Sequence, residues 1–204
     1  MSIAHPSLRF ELRRGYVSAG AKDPGTELGG PFARSILAQH WVIKPSNADQ
    51  LSPTIRELVR AYPSVIRLPI QWGSQDTFGH VNNVSYLTYF ESGRMDYAAR
   101  LGQYLSNETF LNIYQGKGIG IIVKHLACKY KQVVEFPDSI VVATQLTQLE
   151  RDRGTFESVL ISEKTGKVAA ESKCQLVCYD YTRGTKADFP QYLLEAITRV
   201  QVPA

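Results

Sequence analysis

The alternation of hydrophobic and polar residues predicts five strands, which begin about one third of the way along the chain. The first runs from Val65 to Trp72, where every second residue is apolar, a pattern typical of a half-buried strand. Four further strands are predicted at residues 119–132, 139–150, 155–164 and 167–179. Short turn sequences separate the last three strands, so these strands are predicted to be antiparallel neighbours.

A single long helix is predicted from about Asn83 to Leu101. Apolar residues recur there at three- and four-residue spacing, and Gly102 follows as a C-terminal stop. Tyr86 and Tyr89 keep the opposite face from being strongly polar, and a helix that is apolar on more than one side favours a sheet curved around it. The order of elements therefore predicts an α+β domain in which one antiparallel sheet wraps the helix.

The chain is interpreted as an irregular extension at residues 1–62 followed by one domain at 63–204. Glycine and proline interrupt the extension, and no long periodic run survives them. Ser52 and Pro53 provide a cap and a first helical position, which predicts a short helix that ends before Pro63. A final helix is predicted at 190–200.

The first residues of the chain carry an ambiguous targeting signal. Arg9, Arg13 and Arg14, together with nearby serines, are typical of a mitochondrial transit peptide. Asp23 and Glu27 follow soon afterwards, which fits a solvated tail that drapes over the domain. A mitochondrial location is expected, and a cytoplasmic one is the alternative.

Composition limits the classes of protein to which this chain can belong. Its 204 residues are 44% hydrophobic and 21% charged, which is ordinary for a globular domain, and no apolar run is long enough to span a membrane. The net charge of +4 is spread along the chain, which suits an anionic ligand but gives no basic cluster for nucleic acid. Cys128, Cys174 and Cys178 lie in predicted strands, so packing is favoured over disulfide or metal binding.

Candidate chemistry is concentrated where the first strand gives way to the long helix. The stretch from Gln75 to Tyr86 contains one aspartate, one histidine and one glycine, followed by two asparagines. A helix start offers unpaired N–H groups and the positive end of the helix dipole, which can stabilise negative charge on an acyl oxygen. Asp76 could attack a carbonyl or activate water there, although an aspartate in such a turn also commonly caps it.

The other residues of this stretch also have two interpretations each. Gly79 either lets a ligand approach the backbone or adopts a turn with positive φ. His80 could hydrogen-bond Asp76, orient water or protonate a leaving thiolate, or it could be a structural histidine. Asn82 and Asn83 are expected to cap the helix, which would also keep an oxyanion site in shape.

The motif Asp76-x-x-Gly79-His80-Val81-Asn82-Asn83 resembles that of the hotdog-fold acyl-CoA thioesterases, in the 4-hydroxybenzoyl-CoA thioesterase-like family. The residues that follow, Tyr89-Phe90-Glu91-Ser92-Gly93-Arg94, share the resemblance, which covers about residues 64–200. It implies a hotdog fold, with an antiparallel five-stranded sheet wrapped around a long central helix. It also implies hydrolysis of an acyl thioester to free acid and CoA, within lipid metabolism.

The same resemblance assigns roles to individual residues. Asp76 is the expected catalytic carboxylate, with His80 beside it in a supporting role. The oxyanion is expected to bind backbone groups at Gly79, Asn82, Asn83 and Val84. No metal and no separate cofactor are expected, because CoA is part of the acyl-CoA substrate. A homodimer or homotetramer is implied, with the active site at the subunit interface.

One position departs from the pattern of related thioesterases, and one further carboxylate matches a catalytic glutamate that some hotdog thioesterases place on the central helix. Phe78 stands where acyl-ACP thioesterases have an asparagine, which leaves a mechanism centred on Asp76. Glu91 is a second carboxylate, but it lies about 12 Å along the helix from Asn83 and should miss a thioester held at the helix start. Glu91 is instead expected to pair with Arg94.

Other readings of the chain remain open. A catalytically silent hotdog domain, which binds acyl groups or serves as a structural subunit, is the main alternative, and enoyl thioester hydration is a distant one. His125 is interpreted as a packing or interface residue. Four basic residues are candidates for contacts with CoA phosphates: Lys129, Lys131, Arg183 and Lys186.

Overall fold

The computed structural model describes residues 50–201, and the arginines of the predicted targeting segment lie outside them. The helices are α1 (Pro53–Val59), α2 (Asn83–Leu101), α3 (Asn107–Tyr114) and α4 (Gln191–Gln201). The strands are β1 (Ser64–Pro69), β2 (Ile119–Tyr130), β3 (Ser139–Leu149), β4 (Arg153–Ser162), β5 (Lys167–Asp180) and β6 (Thr185–Lys186). No helix in this part of the chain is long and apolar enough to cross a membrane.

All the strand pairs are antiparallel, and the sheet has the order β1-β3-β4-β5-β2. The strands β3, β4 and β5 are consecutive neighbours, as their short connections predict. The two-residue strand β6 pairs with β5 and adds a short sixth strand to the five predicted. The sheet curves around α2, so the predicted α+β architecture of a hotdog fold is confirmed.

The first predicted strand is too long at its C-terminal end. β1 stops at Pro69, and Trp72 begins a short 3-10 helix in which its side chain is 74% exposed. The pairing strand β3 begins at Ser139, and the last contact is the Ile70 N–H donating to the Asp138 carbonyl at 2.9 Å. Alternation continues beyond Ile70 in the sequence, but the part of the chain that the structure describes has no neighbouring strand to pair with it there.

The helix α2 has the predicted bounds, but it does not end in the predicted way. Gly102 has a right-handed φ of −58°, and the chain continues into a 3-10 turn at Gly102–Tyr104. A side chain at Gly102 would meet the ring of Phe110, with atoms 2.7 Å apart. The glycine is therefore required for close packing and not as a left-handed stop.

A row of small polar residues crosses the whole sheet beneath α2. In register, Ser64 of β1 lies beside Thr144, Thr144 beside Ser158, Ser158 beside Ser172, and Ser172 beside Cys128. The row separates a hydrophobic cluster around Phe90 from another around Tyr97. Gly93 lies above it, where an added Cβ would be 2.5 Å from the Thr144 hydroxyl oxygen, so glycine allows the helix to approach the sheet closely.

The helices α1 and α4 cover two other parts of the sheet. Ser52 caps α1 by accepting from the Ile55 N–H at 3.4 Å, and Ile55 and Val59 pack against residues of β3 and β4 in a third hydrophobic cluster. α4 packs its apolar face into the cluster around Tyr97. The hydrophobic clusters that contain α1 and α4 do not include the N-terminal end of α2. The candidate site lies at that end.

Candidate active site

A tight turn links β1 to α2 and carries the predicted catalytic residues. Gln75 and Val81 form an antiparallel bridge, and the Asp76 N–H donates to the His80 carbonyl at 2.8 Å. Between them the Gly79 N–H donates to the Asp76 carbonyl at 3.1 Å. Gly79 has a φ of 77°, which a residue with a side chain rarely adopts, so the predicted positive φ is present.

The carboxylate of Asp76 caps this turn with one of its oxygens. Its Oδ1 accepts from the Phe78 N–H at 2.9 Å, which is the turn-capping geometry predicted as one interpretation. No residue in the range 50–201 hydrogen-bonds its Oδ2 or forms an ion pair with the carboxylate. The side chain is only half-buried, so capping fixes the carboxylate and leaves one oxygen open to solvent.

The N-terminus of α2 begins immediately after this turn, and Asn82 is its cap. The Asn82 side-chain oxygen accepts from the Val84 N–H at 2.9 Å, and the Asn82 carbonyl accepts from the Ser85 N–H at 2.9 Å. The Asn82 N–H itself donates to the Ser74 carbonyl at 2.8 Å. Asn83 is the first helical residue and not a second cap, which corrects the expectation that both asparagines cap.

Of the four backbone N–H groups expected to bind the oxyanion, these bonds leave one without an acceptor within residues 50–201. The N–H groups of Gly79, Asn82 and Val84 all have acceptors within the turn or the cap. The Asn83 N–H has no acceptor among residues 50–201. It lies at the positive end of the α2 dipole and is the group of the four that can bind an incoming oxygen without breaking an existing bond.

The imidazole of His80 makes no hydrogen bond to the Asp76 carboxylate within residues 50–201, although such a bond was one of its possible roles. Its Nε2 lies 3.8 Å from Glu135 Oε1, and both side chains are partly exposed. The contact with Asp76 is made by the main chain of His80 and not by its imidazole. Because the chain reverses at Gly79, the ring lies beside the 130–136 segment.

The segment 130–136, which begins at the last residue of β2, holds the turn of Asp76 and the start of α2 in place. The Tyr130 hydroxyl donates to the Asn83 carbonyl at 3.1 Å, and the Val81 N–H donates to the Val134 carbonyl at 2.8 Å. The Phe136 N–H donates to the side-chain oxygen of Gln75 at 3.0 Å. The periodicity of the sequence gives no sign of these contacts, although the family resemblance extends over this segment.

Comparison with known proteins places this geometry in a family. The model of a protein family described as the thioesterase-like superfamily matches residues 70–197, which are more than half of the chain. The chain belongs to the thioesterase-like superfamily. The predicted family and the predicted class of enzyme, a thioester hydrolase, are thereby confirmed.

Individual relatives of this superfamily member are distant. The long-chain acyl-CoA thioesterase FadM of Escherichia coli is 28% identical over 105 residues, which are 52% of this chain and 74% of FadM. The DHNA-CoA thioesterase of Staphylococcus aureus is 25% identical, with a TM-score of 0.57 over 68% of this chain and 90% of that one. A thioesterase of Thermus thermophilus, complexed with coenzyme A and Zn, has a TM-score of 0.59 at 23% identity over 71% of this chain and 98% of that one, and shows the same fold.

The second candidate carboxylate, Glu91, does not form the ion pair expected for it. Glu91 is exposed on α2, and within the described residues it forms no ion pair with Arg94. The Arg94 guanidinium turns inward, and its Nη1 is buried without an acceptor in this part of the chain. The predicted Glu91–Arg94 pair is therefore wrong for the single chain, because the arginine packs against the sheet.

The basic residues that are candidates for contacts with CoA phosphates differ in whether they already lie next to a carboxylate. Lys131 pairs with Glu171, and Arg183 lies 3.7 Å from a carboxylate oxygen of Asp180. Lys129 and Lys186 are exposed and form no ion pair within residues 50–201.

His125 and the buried cysteines lie on strands outside the motif. His125 is exposed on β2, the strand at one edge of the sheet. Cys174 and Cys178 are buried free thiols, and burial raises the pKa of Cys178 to about 11. A thiol that stays protonated is a poor nucleophile and a poor metal ligand, which agrees with packing.

Proposed function

We propose that this chain hydrolyses acyl-CoA thioesters to the free acid and CoA, with Asp76 as the catalytic carboxylate. One observation carries the proposal: a half-buried carboxylate with one open oxygen lies on the turn that leads directly into α2, whose first residue, Asn83, has an N–H without an acceptor among residues 50–201. Thioester hydrolysis needs this combination, since a base or nucleophile must act while a donor stabilises the oxyanion.

In the proposed reaction the thioester oxygen binds at the N-terminus of α2. The Asn83 N–H donates to that oxygen, and the helix dipole stabilises the negative charge that develops on it. Asp76 either removes a proton from an attacking water or attacks the carbonyl carbon itself, forming an anhydride that water then hydrolyses. In both cases the carbon–sulfur bond breaks, the CoA thiolate leaves and takes up a proton, and the acid is released.

The choice of an acyl-CoA substrate has two supports. FadM and the Staphylococcus aureus relative are both named for CoA thioesters. The loops around the site also expose apolar side chains, which suit an acyl group better than a polar one. These are Trp72 and Phe78, which are 74% and 82% exposed, together with Val84, Val133 and Phe136.

The test is hydrolysis of a panel of acyl-CoAs by the full chain, with thiol release followed over time. We expect turnover of at least one acyl-CoA at a rate far above the reaction in buffer. The panel includes short, long and aromatic acyl groups, because the site does not fix the acyl length. If every substrate binds but none is hydrolysed, the alternative of a silent acyl-binding domain replaces the proposed function.

We further propose that the active form is a homodimer or a homotetramer of this chain. Within residues 50–201, β2 has a neighbouring strand on one edge only, and Val123 in the middle of it is 51% exposed. A long unpaired edge is a template for a strand from another chain. Sedimentation at assay concentrations should give two or four times 22.8 kDa, and an active species of 22.8 kDa would contradict the proposal.

A further inference from the structure

Tyr130 fastens the end of β2 to the first turn of α2. It is the last residue of the strand, and its hydroxyl donates to the carbonyl of Asn83 at 3.1 Å. Its ring also packs edge to face against Tyr86, with centroids 5.2 Å apart and an interplanar angle of 86°. One side chain therefore makes a polar and an aromatic contact with the turn that carries the free N–H.

The peptide group that contains the Asn83 N–H is held by its Asn82 carbonyl, which accepts from the Ser85 N–H at 2.9 Å, and the other bonds in this region hold neighbouring residues. The Asn82 side chain holds the Val84 N–H, and the Ser85 hydroxyl donates to the Ser74 carbonyl at 3.3 Å. The first turn of a helix has few internal hydrogen bonds and frays readily. Among the side chains of residues 50–201, only Tyr130 hydrogen-bonds the main chain of Asn83.

The state of the hydroxyl also suits a fixed donor. Loss of solvation raises the pKa of Tyr130 above its ordinary value, so the hydroxyl keeps its proton at neutral pH. The side chain is 46% exposed, and a single hydrogen bond at such a position contributes little to the stability of the fold. Its effect is therefore expected on local geometry more than on overall stability.

We infer that Tyr130 is a positioning residue, which holds the first turn of α2, and with it the Asn83 N–H, in place through its hydrogen bond to the Asn83 carbonyl. The inference rests on the proposed function, because it concerns the donor for the thioester oxygen. An oxyanion donor accelerates the reaction only when it is held in place before the charge develops. Without the hydroxyl, the cap and the bonds to Ser74 still hold the first turn of α2, but its hydrogen bond to β2 is lost.

The protein offers a matched control for this role. The Tyr181 hydroxyl donates to a main-chain carbonyl, that of Ile121, at 3.2 Å, and its side chain is 38% exposed. Ile121 lies in the opposite half of β2 from Tyr130. Tyr130→Phe and Tyr181→Phe therefore remove the same kind of bond, one at the candidate site and one away from it.

In the full chain we expect Tyr130→Phe to lower kcat by about 10-fold, with KM and the melting temperature close to those of the wild type. Tyr181→Phe should leave kcat, KM and the melting temperature unchanged. A purely structural role for Tyr130 would lower the melting temperature or raise KM and leave kcat alone. An unchanged kcat in Tyr130→Phe, or an equal loss in Tyr181→Phe, would overturn the inference.

Hydrogen exchange separates this inference from the proposed function. The amides of residues 83–90 should exchange faster in Tyr130→Phe than in the wild type and in Tyr181→Phe. If the wild type hydrolyses no acyl-CoA, the proposed function fails, and the exchange result alone decides whether Tyr130 orders this turn. Equal exchange in all three proteins would then refute the positioning role.

Discussion

Asp76→Asn is expected to lower kcat/KM for the best acyl-CoA substrate by about 10³-fold. The amide has the shape of the carboxylate, and its oxygen can still accept from the Phe78 N–H, so the turn should keep its conformation. The amide can neither remove a proton from water nor act as an effective nucleophile. Thiol release gives the rate, and a melting temperature within about 2 °C of the wild type shows that the fold is intact.

The magnitude of this loss separates the two roles that the Asp76 carboxylate can have. A turn residue with no part in the chemistry would lose little activity on conversion to an amide, because its capping bond survives. A base or nucleophile loses its function entirely, and only binding and the oxyanion donor continue to accelerate the reaction. A loss smaller than about 10-fold would therefore favour the turn-capping interpretation alone.

Asp96→Ala is expected to lower the free energy of unfolding by about 3 kcal/mol, since it breaks a buried ion pair. The Asp96 side chain is almost fully buried, and its Oδ2 accepts from Ser64 Oγ and from Arg100 Nε, each at 2.7 Å. The bond from Ser64 ties the C-terminal half of α2 to β1, and the bond from Arg100 lies within α2. Removing the carboxylate leaves the partly buried Arg100 guanidinium without that acceptor. Urea unfolding of the two proteins measures the difference.

Ser64→Ala is the control for the Asp96 prediction. It removes one neutral donor and leaves the ion pair with Arg100 in place, so it should cost only about 1 kcal/mol. A cost for Asp96→Ala no larger than that for Ser64→Ala would mean that the ion pair contributes nothing measurable to stability.

Local patterns in the sequence predict the fold well, and they fail where a distant residue decides the outcome. The bounds of α2 and the order of the strands follow from periodicities that many residues repeat. The end of β1 depends on where β3 begins, some 70 residues later, and alternation in one strand carries no information about its partner. The need for glycine at position 102 likewise comes from the ring of Phe110, which lies in the following helix and leaves no room for a side chain.

In the candidate site, too, local contacts are predictable from the sequence and contacts between distant residues are not. The turn of Asp76, the positive φ of Gly79 and the cap by Asn82 all use contacts within a few residues, so residue types at fixed spacing predict them. The Tyr130–Asn83 and Gln75–Phe136 bonds join residues 47 and 61 positions apart, and no local pattern indicates them. The sequence alone therefore locates the candidate carboxylate but not the segment that holds the proposed oxyanion donor.

The prediction for Glu91 and Arg94 fails for an energetic reason. Two charges three residues apart on a helix surface attract each other only weakly in water, by a few tenths of a kcal/mol. The long arginine side chain instead turns towards the sheet. Residue spacing allows the pair, but so weak an attraction does not determine where the arginine lies.

The most direct test of the catalytic role of Asp76 compares three proteins in one thiol-release assay. Asp180 provides the control, because its carboxylate accepts from the Thr182 N–H at 2.9 Å in a turn of the same kind as that of Asp76. The wild type and Asp180→Asn should hydrolyse acyl-CoA at similar rates, and Asp76→Asn should be slower by about 10³-fold. Equal rates for Asp76→Asn and Asp180→Asn would contradict the assignment of Asp76 as the catalytic carboxylate.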